Sequence, residues 1–310
     1  MDEGTILIAG VGGIGCIWAE RAHSKCPELS DLLLIDADEE SFAGAATAHC
    51  LHLDAGGDGR GTASLTALAT HRIRDGHSSI SQLLDTAELV VILAGLGGGM
   101  GSGAAAELAS LASDSDCLVI SIVGLPFAEQ PLRYSIAESS LPAIQANSNL
   151  CIRVSMERLA WQARYRGTDW RTGSGWIEEL VEGLVTTLAR VGKINLDLMD
   201  LRAIVSKSGG STLLVAEGHC DEAQELYERA RSSPLAALSV GGATGCLLQV
   251  EGGPHMTLKQ VEAVANAFTD GLSIDAQVII GARVSPDLAE RMRVVAVVSG
   301  LPRGSSEGLV

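Results

Sequence analysis

The nine residues from Gly95 to Gly103 constrain the fold of this chain more than any other segment, because six of them are glycine. They follow a short apolar run, Leu89 to Leu93, and precede a segment rich in alanine. Glycine lets a backbone adopt positive φ angles and bring several N–H groups close to a bulky anion. A strand that continues through such a loop into a helix also presents the positive helix end. The segment therefore predicts a polyphosphate site, whereas an ordinary tight turn needs only one or two glycines.

The length and charge of the chain limit the classes of protein to which it can belong. Its 310 residues suffice for two domains of ordinary size, each with its own core. No apolar run approaches the roughly 20 residues of a membrane span. A formal net charge of −16 without a Lys/Arg cluster argues against a nucleic-acid groove. Because the N-terminus lacks the features of a signal peptide, we expect a folded, soluble protein in the cytoplasm.

The cysteines and histidines give little indication of a metal centre. The seven cysteines are scattered and include no Cys-x-x-Cys pair, so we expect reduced thiols that behave as small buried hydrophobic residues. His49 and His52 lie three apart on a predicted helix and could place two ligands together. No further ligand stands near them at a recognisable spacing, and we predict no metal-ligating side chains.

Strand and helix patterns alternate in the first half of the chain. Short apolar runs of this kind are typical of strands that are buried on both faces. The alternation predicts a parallel sheet covered by helices, with ligands at the carboxyl ends of the strands. The predicted strands are Ile6–Ala9, Leu32–Ile35, Leu89–Leu93 and Leu118–Val123, and the predicted helices are 13–26, 39–52, 78–87 and 104–114.

The second half predicts two longer helices, at 128–147 and 174–191, followed by a smaller α/β domain. Its predicted strands are Thr212–Ala216, Thr244–Val250, Ala276–Ala282 and Val294–Val298, and its predicted helices are 221–232 and 258–270. The fold class is therefore α/β, with a parallel-sheet nucleotide-binding domain joined by a long central helix to a smaller α/β domain. The predicted boundaries are 1–173, 174–192, 193–303 and, for a short polar tail, 304–310.

A second glycine loop, Gly10–Gly15, follows the first predicted strand and opens a helix. Alone, it fits the G-x-G-x-x-G dinucleotide fingerprint, with Asp36 at the end of the second strand placed for a ribose hydroxyl. The same region resembles the adenylating domain of ubiquitin-activating and ThiF-like enzymes. An NAD-binding or adenylating enzyme is thus one alternative, although neither explains the loop at 95–103 or the residues after Gly192.

A third motif comprises Asn195, Asp197 and Asp200, with two carboxylates three residues apart at a loop-to-helix junction. Aspartate at a helix start can serve simply as a cap. Together the three segments resemble the tubulin/FtsZ superfamily, and specifically its FtsZ branch. The family's first phosphate loop matches Gly10–Gly15, and its Asn-x-Asp-x-x-Asp catalytic loop is matched in full. Its Gly-Gly-Gly-Thr-Gly-Thr/Ser-Gly signature matches Gly97–Gly103, with Met100 in place of the first threonine.

The resemblance implies GTP or GDP with Mg²⁺ at the carboxyl end of the first sheet, and copies that stack head to tail into a homopolymer. Asp197 and Asp200, with Asn195 beside them, would polarise a water for attack on the γ-phosphate held by the next copy. Hydrolysis would then follow assembly. The positions implied to contact nucleotide are Gly12, Gly13, Ile14, Gly15, Cys16, Ile17, Gly97, Gly98, Gly99, Met100, Gly101, Ser102, Gly103, Glu129, Arg133, Trp170 and Ser174.

The chain departs from the family pattern on the ribose and base side. Cys16 and Ile17 stand where the family has Gly and Asn, and Ser174 and Gly175 stand where the central helix offers Asn and Asp to guanine. Guanine preference is therefore implied by the resemblance alone. The Glu129 and Arg133 segment is one residue shorter than the family's, and a surface salt pair is its alternative interpretation.

Two further departures from the family pattern lead to expectations about function. Met100 replaces a hydroxyl that could bind phosphate, so turnover is expected to be slow, and a filament or scaffold with little or no hydrolysis is an alternative. The family's linker and terminal peptide, which docks on membrane tethers, have no counterpart in the short predicted tail. We therefore expect no direct membrane anchor, and the sequence identifies no division or tethering partner.

Overall fold

The structure, a computed structural model, describes residues 5–43, 48–53, 62, 64–189, 194–235 and 239–302. The chain divides into two compact units, Met1–Glu178 and Glu179–Val310, and the boundary falls within one helix. Each unit is built on its own sheet.

The first unit contains a six-stranded parallel sheet in the order β3-β2-β1-β4-β5-β6. This order places the carboxyl ends of β1 and β4 side by side at the centre, with those of β2 and β5 beside them. The strands are β1 (Thr5–Val11), β2 (Asp31–Asp36), β3 (His49–His52), β4 (Ala87–Gly95), β5 (Leu118–Leu125) and β6 (Leu150–Ser155). The helices are α1 (Gly12–His23), α2 (Thr66–Asp75), α3 (His77–Thr86), α4 (Ala105–Asp114), α5 (Pro131–Ala146) and α6 (Met156–Arg166).

The central strands are apolar along most of their length because helices cover both faces of the sheet. Ile8, Ile92 and Ile120, on β1, β4 and β5, are completely buried. This continuous core fixes the ends of β1 and β4, from which the two glycine loops leave.

The second unit contains a four-stranded sheet in the order β7-β10-β8-β9, in which β10 runs antiparallel to both neighbours and β8 and β9 are parallel. Its interior includes an ion pair between Arg283 and Glu251, whose side chains are both more than nine-tenths buried. The strands are β7 (Gly210–His219), β8 (Gly245–Gly252), β9 (Gln277–Val284) and β10 (Arg291–Leu301). The helices are α7 (Trp176–Ala189), which crosses the unit boundary, α8 (Leu198–Val205), α9 (Ala223–Arg231) and α10 (Leu258–Thr269).

All eight predicted strands are confirmed, since each overlaps a strand of the structure. The predicted helix at 39–52 is wrong. Glu39–Phe42 forms one 3₁₀ turn, and His49–His52 is the edge strand β3, so His49 and His52 do not share a helix face. The misassignment has a physical cause: β3 has β2 as its single neighbour, and three of its four residues are exposed, so it lacks the apolar run of a central strand.

The predicted domain boundaries remain predictions. Residues 190–193 and the predicted tail at 304–310 lie outside the described residues. Across the described ranges, no helix combines the length and the apolar character needed to cross a bilayer. The cytoplasmic location remains a prediction.

Candidate nucleotide site

A cavity of about 490 Å³ opens at the carboxyl ends of the central strands of the first unit. Its volume falls within the range of small-molecule sites. The floor comes from the two glycine loops, and the ends come from residues that follow β2 and β5. The lining residues are Gly12, Gly13, Ile14, Asp36, Asp38, Ser41, Thr62, Gly95, Leu96, Gly98, Gly99, Met100, Gly101, Pro126, Phe127, Gln130, Arg133, Met156 and Trp170.

The first glycine loop turns directly from β1 into α1. Gly12 has a φ of +74°, a conformation that side chains other than glycine rarely adopt. A Cβ at Gly12 would also stand 3.2 Å from the amide nitrogen of Gly101 in the second loop. The two loops therefore pack against each other, and this close approach brings their backbones to one floor.

The second glycine loop leaves β4 and enters a short π-helical turn, Met100–Ala104, that leads into α4. A Cβ at Gly101 would overlap the carbonyl oxygen of Gly95. Ser102 is completely buried, and its Oγ accepts a hydrogen bond of 2.9 Å from the Gly97 N–H. Gly98, Gly99, Met100 and Gly101 line the cavity at the start of this helical turn. Because the first N–H groups of a helix have no partner within it, these residues are candidates to donate backbone hydrogen bonds to a phosphate.

Charged side chains are unequally distributed around the cavity. Among the described residues that line it, Arg133 is the cation, and Asp36 and Asp38 are the anions. Asp36 is 6% exposed and accepts hydrogen bonds from the Ala37 N–H at 2.7 Å and from Ser41 Oγ at 2.6 Å. Burial raises the pKa of the Asp36 carboxyl above its ordinary value, although these hydrogen bonds oppose the shift.

The opposite end of the cavity, after β5, is apolar and aromatic. The rings of Phe127 and Trp170 meet edge to face with centroids 5.1 Å apart, and Pro126 and Met156 complete this wall. Flat apolar surfaces of this kind suit a nucleobase. With the base at the aromatic end and phosphates over the glycine loops, the terminal phosphate would extend toward Asp36 and Asp38.

The predicted nucleotide contacts fall into two groups in the structure. Those that line the cavity are Gly12, Gly13, Ile14, Gly98, Gly99, Met100, Gly101, Arg133 and Trp170. Those that do not line it are Gly15, Cys16, Ile17, Gly97, Ser102, Gly103, Glu129 and Ser174. For all of them, contact with a nucleotide remains a prediction.

Several members of the second group have other roles in the fold. Cys16 is buried, its Sγ lies 3.6 Å from the Gly10 carbonyl oxygen, and burial strongly raises the pKa of the thiol. Ser174 donates a 2.9 Å hydrogen bond to Gln162 Oε1. Glu129 is exposed and forms no ion pair with Arg133 in the part of the chain that the structure describes.

Sequence reasoning missed most of the residues at the two ends of the cavity. Asp38, Ser41 and Phe127 were not proposed as ligand contacts, and Asp36 was considered only for a ribose hydroxyl. Their position in the sequence could have identified these residues as ligand contacts. Asp36 ends β2 and Phe127 lies just beyond β5, and parallel sheets bind ligands at the carboxyl ends of their strands.

The three residues of the acidic motif lie in the second unit, before and within the first turn of α8. Asp197 is the N-cap: its Oδ1 accepts from the Asp200 N–H at 2.9 Å, while Asp200 Oδ2 accepts from the Asp197 N–H at 3.1 Å. This reciprocal capping box fixes both carboxylates. Each keeps a second oxygen that forms no hydrogen bond to the described residues. Asn195 is exposed and two residues before the cap.

Two large apolar side chains flank this acidic pair at the surface. Met199 is 70% exposed and Ile194 is 48% exposed. Single exposed apolar residues are ordinary on a protein surface, and these two are notable because they lie beside a fixed pair of carboxylates.

Comparison with known families matches part of each unit to a domain of the Tubulin/FtsZ family. The model of the Tubulin/FtsZ family GTPase domain matches residues 5–162, and that of the FtsZ family C-terminal domain matches residues 209–302. The first match includes both glycine loops and most of the cavity. It places Gly10–Gly15 in that GTPase domain rather than in an NAD-binding or adenylating domain.

Individual proteins agree with this assignment. The chain is 30% identical over 309 residues to cell division protein FtsZ 2 of Haloferax volcanii, covering 96% of this chain and 75% of that protein. Its fold is similar to that of an empty FtsZ dimer from M. jannaschii, with a TM-score of 0.83, 24% identity and coverage of 96% and 88%. It is also similar to a GTPγS-bound protofilament of CetZ2 from Haloferax volcanii, with a TM-score of 0.79, 21% identity and coverage of 97% and 94%. The chain belongs to the tubulin/FtsZ family and is an FtsZ-like GTP-binding cytoskeletal protein, in a family for which polymerisation and GTP hydrolysis are typical.

Proposed function

We propose that this protein assembles head to tail and hydrolyses GTP only where Asp197 and Asp200 of one copy meet the nucleotide of the next. The observation that carries the proposal is the acidic pair, of which Asp197 is exposed and Asp200 is partly exposed, with its two exposed apolar neighbours, Ile194 and Met199. The names of the similar structures, a dimer and a protofilament, support self-assembly.

Positioning and charge account for most catalysis of phosphoryl transfer. In the first unit, backbone N–H groups from Gly98 to Gly101 would hold the phosphates, and Phe127 and Trp170 would hold the base. In the second unit, the capping box fixes the direction of the carboxylates before substrate arrives, and their remaining oxygens would orient and polarise the attacking water. If the acids act on the γ-phosphate held by the next copy, as proposed, turnover would follow assembly.

The acidic end of the cavity fits a magnesium ion. Carboxylate oxygens of Asp36 and Asp38 are the hard ligands that Mg²⁺ prefers, and a triphosphate supplies the remaining oxygens. Bound there, Mg²⁺ would neutralise the charge that two carboxylates and a terminal phosphate would otherwise bring together. Arg133 alone does not balance that charge.

This role of Asp36 predicts the effect of removing its charge. In a metal chelator, Asp36→Asn is expected to bind GTP about tenfold more tightly than wild type, the equivalent of relieving ~1.4 kcal/mol of repulsion. Fluorescent GTP displacement with and without Mg²⁺ measures this, and Asp85→Asn, an exposed carboxylate of the same unit, is the control. Equal affinities of wild type and Asp36→Asn in chelator would exclude the charge conflict.

The capping box also favours a second candidate function, a filament or scaffold without useful turnover, because capping alone gives both carboxylates a structural use. Phosphate release measured against protein concentration separates the two. Assembly-coupled hydrolysis predicts almost no release below a critical concentration and a linear rise above it. A scaffold predicts filaments with no release at any concentration, and a specific rate that does not depend on concentration would contradict assembly coupling.

A further inference from the structure

A cluster of potential metal ligands lies in the second unit, where β7 ends. His219, Cys220 and Asp221 are consecutive, and their ligand atoms all lie within 4.8 Å of one another. The strand pairing sets His219 opposite Arg291, and the Cys220 N–H donates a 3.0 Å hydrogen bond to the Glu290 carbonyl. The backbone of this turn is thus held by the start of β10.

Each of the three side chains also has an outer partner from another segment. Gln260, in the first turn of α10, donates through Nε2 to Asp221 Oδ1 at 2.8 Å and contacts Cys220 Sγ at 3.1 Å. The direction of this amide is fixed, since its Oε1 accepts from the Thr257 N–H at 2.8 Å. A capping residue of α10 therefore orients both the thiol and the carboxylate.

The imidazole of His219 has an outer partner of its own. Its Nε2 lies 3.8 Å from Glu290 Oε2, while its Nδ1 lies 4.0 Å from Asp221 Oδ2. Histidines that ligate metals usually present the other ring nitrogen to a carboxylate. With Glu290 at Nε2, the nitrogen that faces the cluster is Nδ1. Its lone pair accepts a 3.3 Å hydrogen bond from the Asp221 N–H, so a metal ion at this nitrogen would replace that donor.

From this arrangement we infer that His219 Nδ1, Cys220 Sγ and an oxygen of Asp221 form a binding site for a divalent ion of the zinc class. Imidazole and thiolate donors suit zinc, whereas Mg²⁺ and Ca²⁺ prefer oxygen ligands throughout. Three protein ligands leave the ion at least one further position, and the exposure of His219 and Asp221 leaves that position to water. From the sequence alone, Cys220 is one of seven scattered thiols, and the outer partners that distinguish it, Gln260 and Glu290, lie far along the chain.

Cobalt is the probe for this site, because Co²⁺ takes the coordination of zinc and a bound thiolate gives it a near-ultraviolet charge-transfer band. The full chain, stripped of metal by chelator, is titrated with Co²⁺. The expected result is a band that saturates at one ion per chain, is abolished by Cys220→Ser and is displaced by Zn²⁺. The matched control is Cys50→Ser, which removes an exposed thiol from the first unit and should leave the band unchanged.

A second substitution tests the outer residues. Loss of a hydrogen-bonded outer partner of a metal ligand typically weakens affinity 10–100-fold. Because Glu290 is exposed and lies 3.8 Å from the imidazole, Glu290→Gln is expected to raise the Kd for Co²⁺ by a smaller factor, about threefold. No band in the wild type, or a band that survives Cys220→Ser, would overturn the assignment. The GTP pocket lies in the other unit, so this outcome is independent of the proposed GTPase function, and GTP binding by Cys220→Ser should equal that of wild type.

Discussion

Replacing Asp197 with asparagine is expected to lower GTP turnover by at least about 100-fold while GTP affinity stays within about twofold of wild type. A positioned acid–base group typically contributes 10²–10⁴-fold to rate. Asparagine is as good an N-cap as aspartate, so its side-chain oxygen can still accept from the Asp200 N–H and α8 keeps its start. The substitution therefore removes charge and leaves the local fold. Phosphate release and displacement of a fluorescent GTP analogue measure the two quantities.

A matched variant separates a specific loss from a general effect of surface charge. Asp287→Asn removes an exposed carboxylate from the same unit and should leave turnover unchanged. If Asp197→Asn keeps more than about a tenth of wild-type turnover, the acidic motif is a cap and not the catalytic element.

Replacing Gly101 with alanine is expected to abolish GTP binding at concentrations up to about 100 times the wild-type Kd, because the backbone at this position has no room for a methyl group. Its Cβ would overlap the Gly95 carbonyl oxygen, and backbone cannot move aside as a flexible side chain can. The loop must shift, which moves the donors at Gly98–Gly101. Overpacking typically costs 1–3 kcal/mol, so the protein should still fold with a lower Tm.

Gly13→Ala is the comparison within the same cavity. A Cβ at Gly13 meets its nearest atoms, Asp36 Oδ2 and Ser41 Oγ, at 3.9 Å, which is ordinary contact, and its φ is not positive. Its Tm should therefore stay near that of wild type. If Gly101→Ala retains both wild-type Tm and wild-type affinity for GTP, the second glycine loop is not the rigid phosphate cradle described above.

The elements that the sequence predicted well are those whose burial is uniform. β1, β4 and β5 lie inside a sheet covered on both faces, so their apolar runs could be recognised without any knowledge of partners. The edge strands β3 and β6 were missed for the opposite reason. Residues of β6 alternate between buried and partly exposed, and such a strand is identified by its neighbour rather than by its own composition.

The residues of the candidate site divide in the same way, into those that local sequence could predict and those that only the fold brings together. The glycine loops were recognisable because part of the need for glycine is local in sequence: Gly12 has a positive φ, and a Cβ at Gly101 would overlap the carbonyl oxygen of nearby Gly95. The acidic end of the cavity could not be recognised from the sequence, because the significance of Asp36 and Asp38 depends on which strand lies next to β1. The pair formed by Phe127 and Trp170 likewise joins residues more than forty positions apart, and only the fold brings those rings together.

Mixing Asp197→Asn with Gly101→Ala tests most directly whether the catalytic acids act on the nucleotide of another copy. The first variant keeps an intact GTP cavity and the second keeps an intact acidic motif, so a contact between them completes one site. If the site spans two copies, phosphate release by the equimolar mixture should exceed the sum of the separate variants at least about tenfold, above a threshold of total concentration. Release equal to that sum, with both variants folded and assembled together in pelleting, would contradict hydrolysis across a contact between copies.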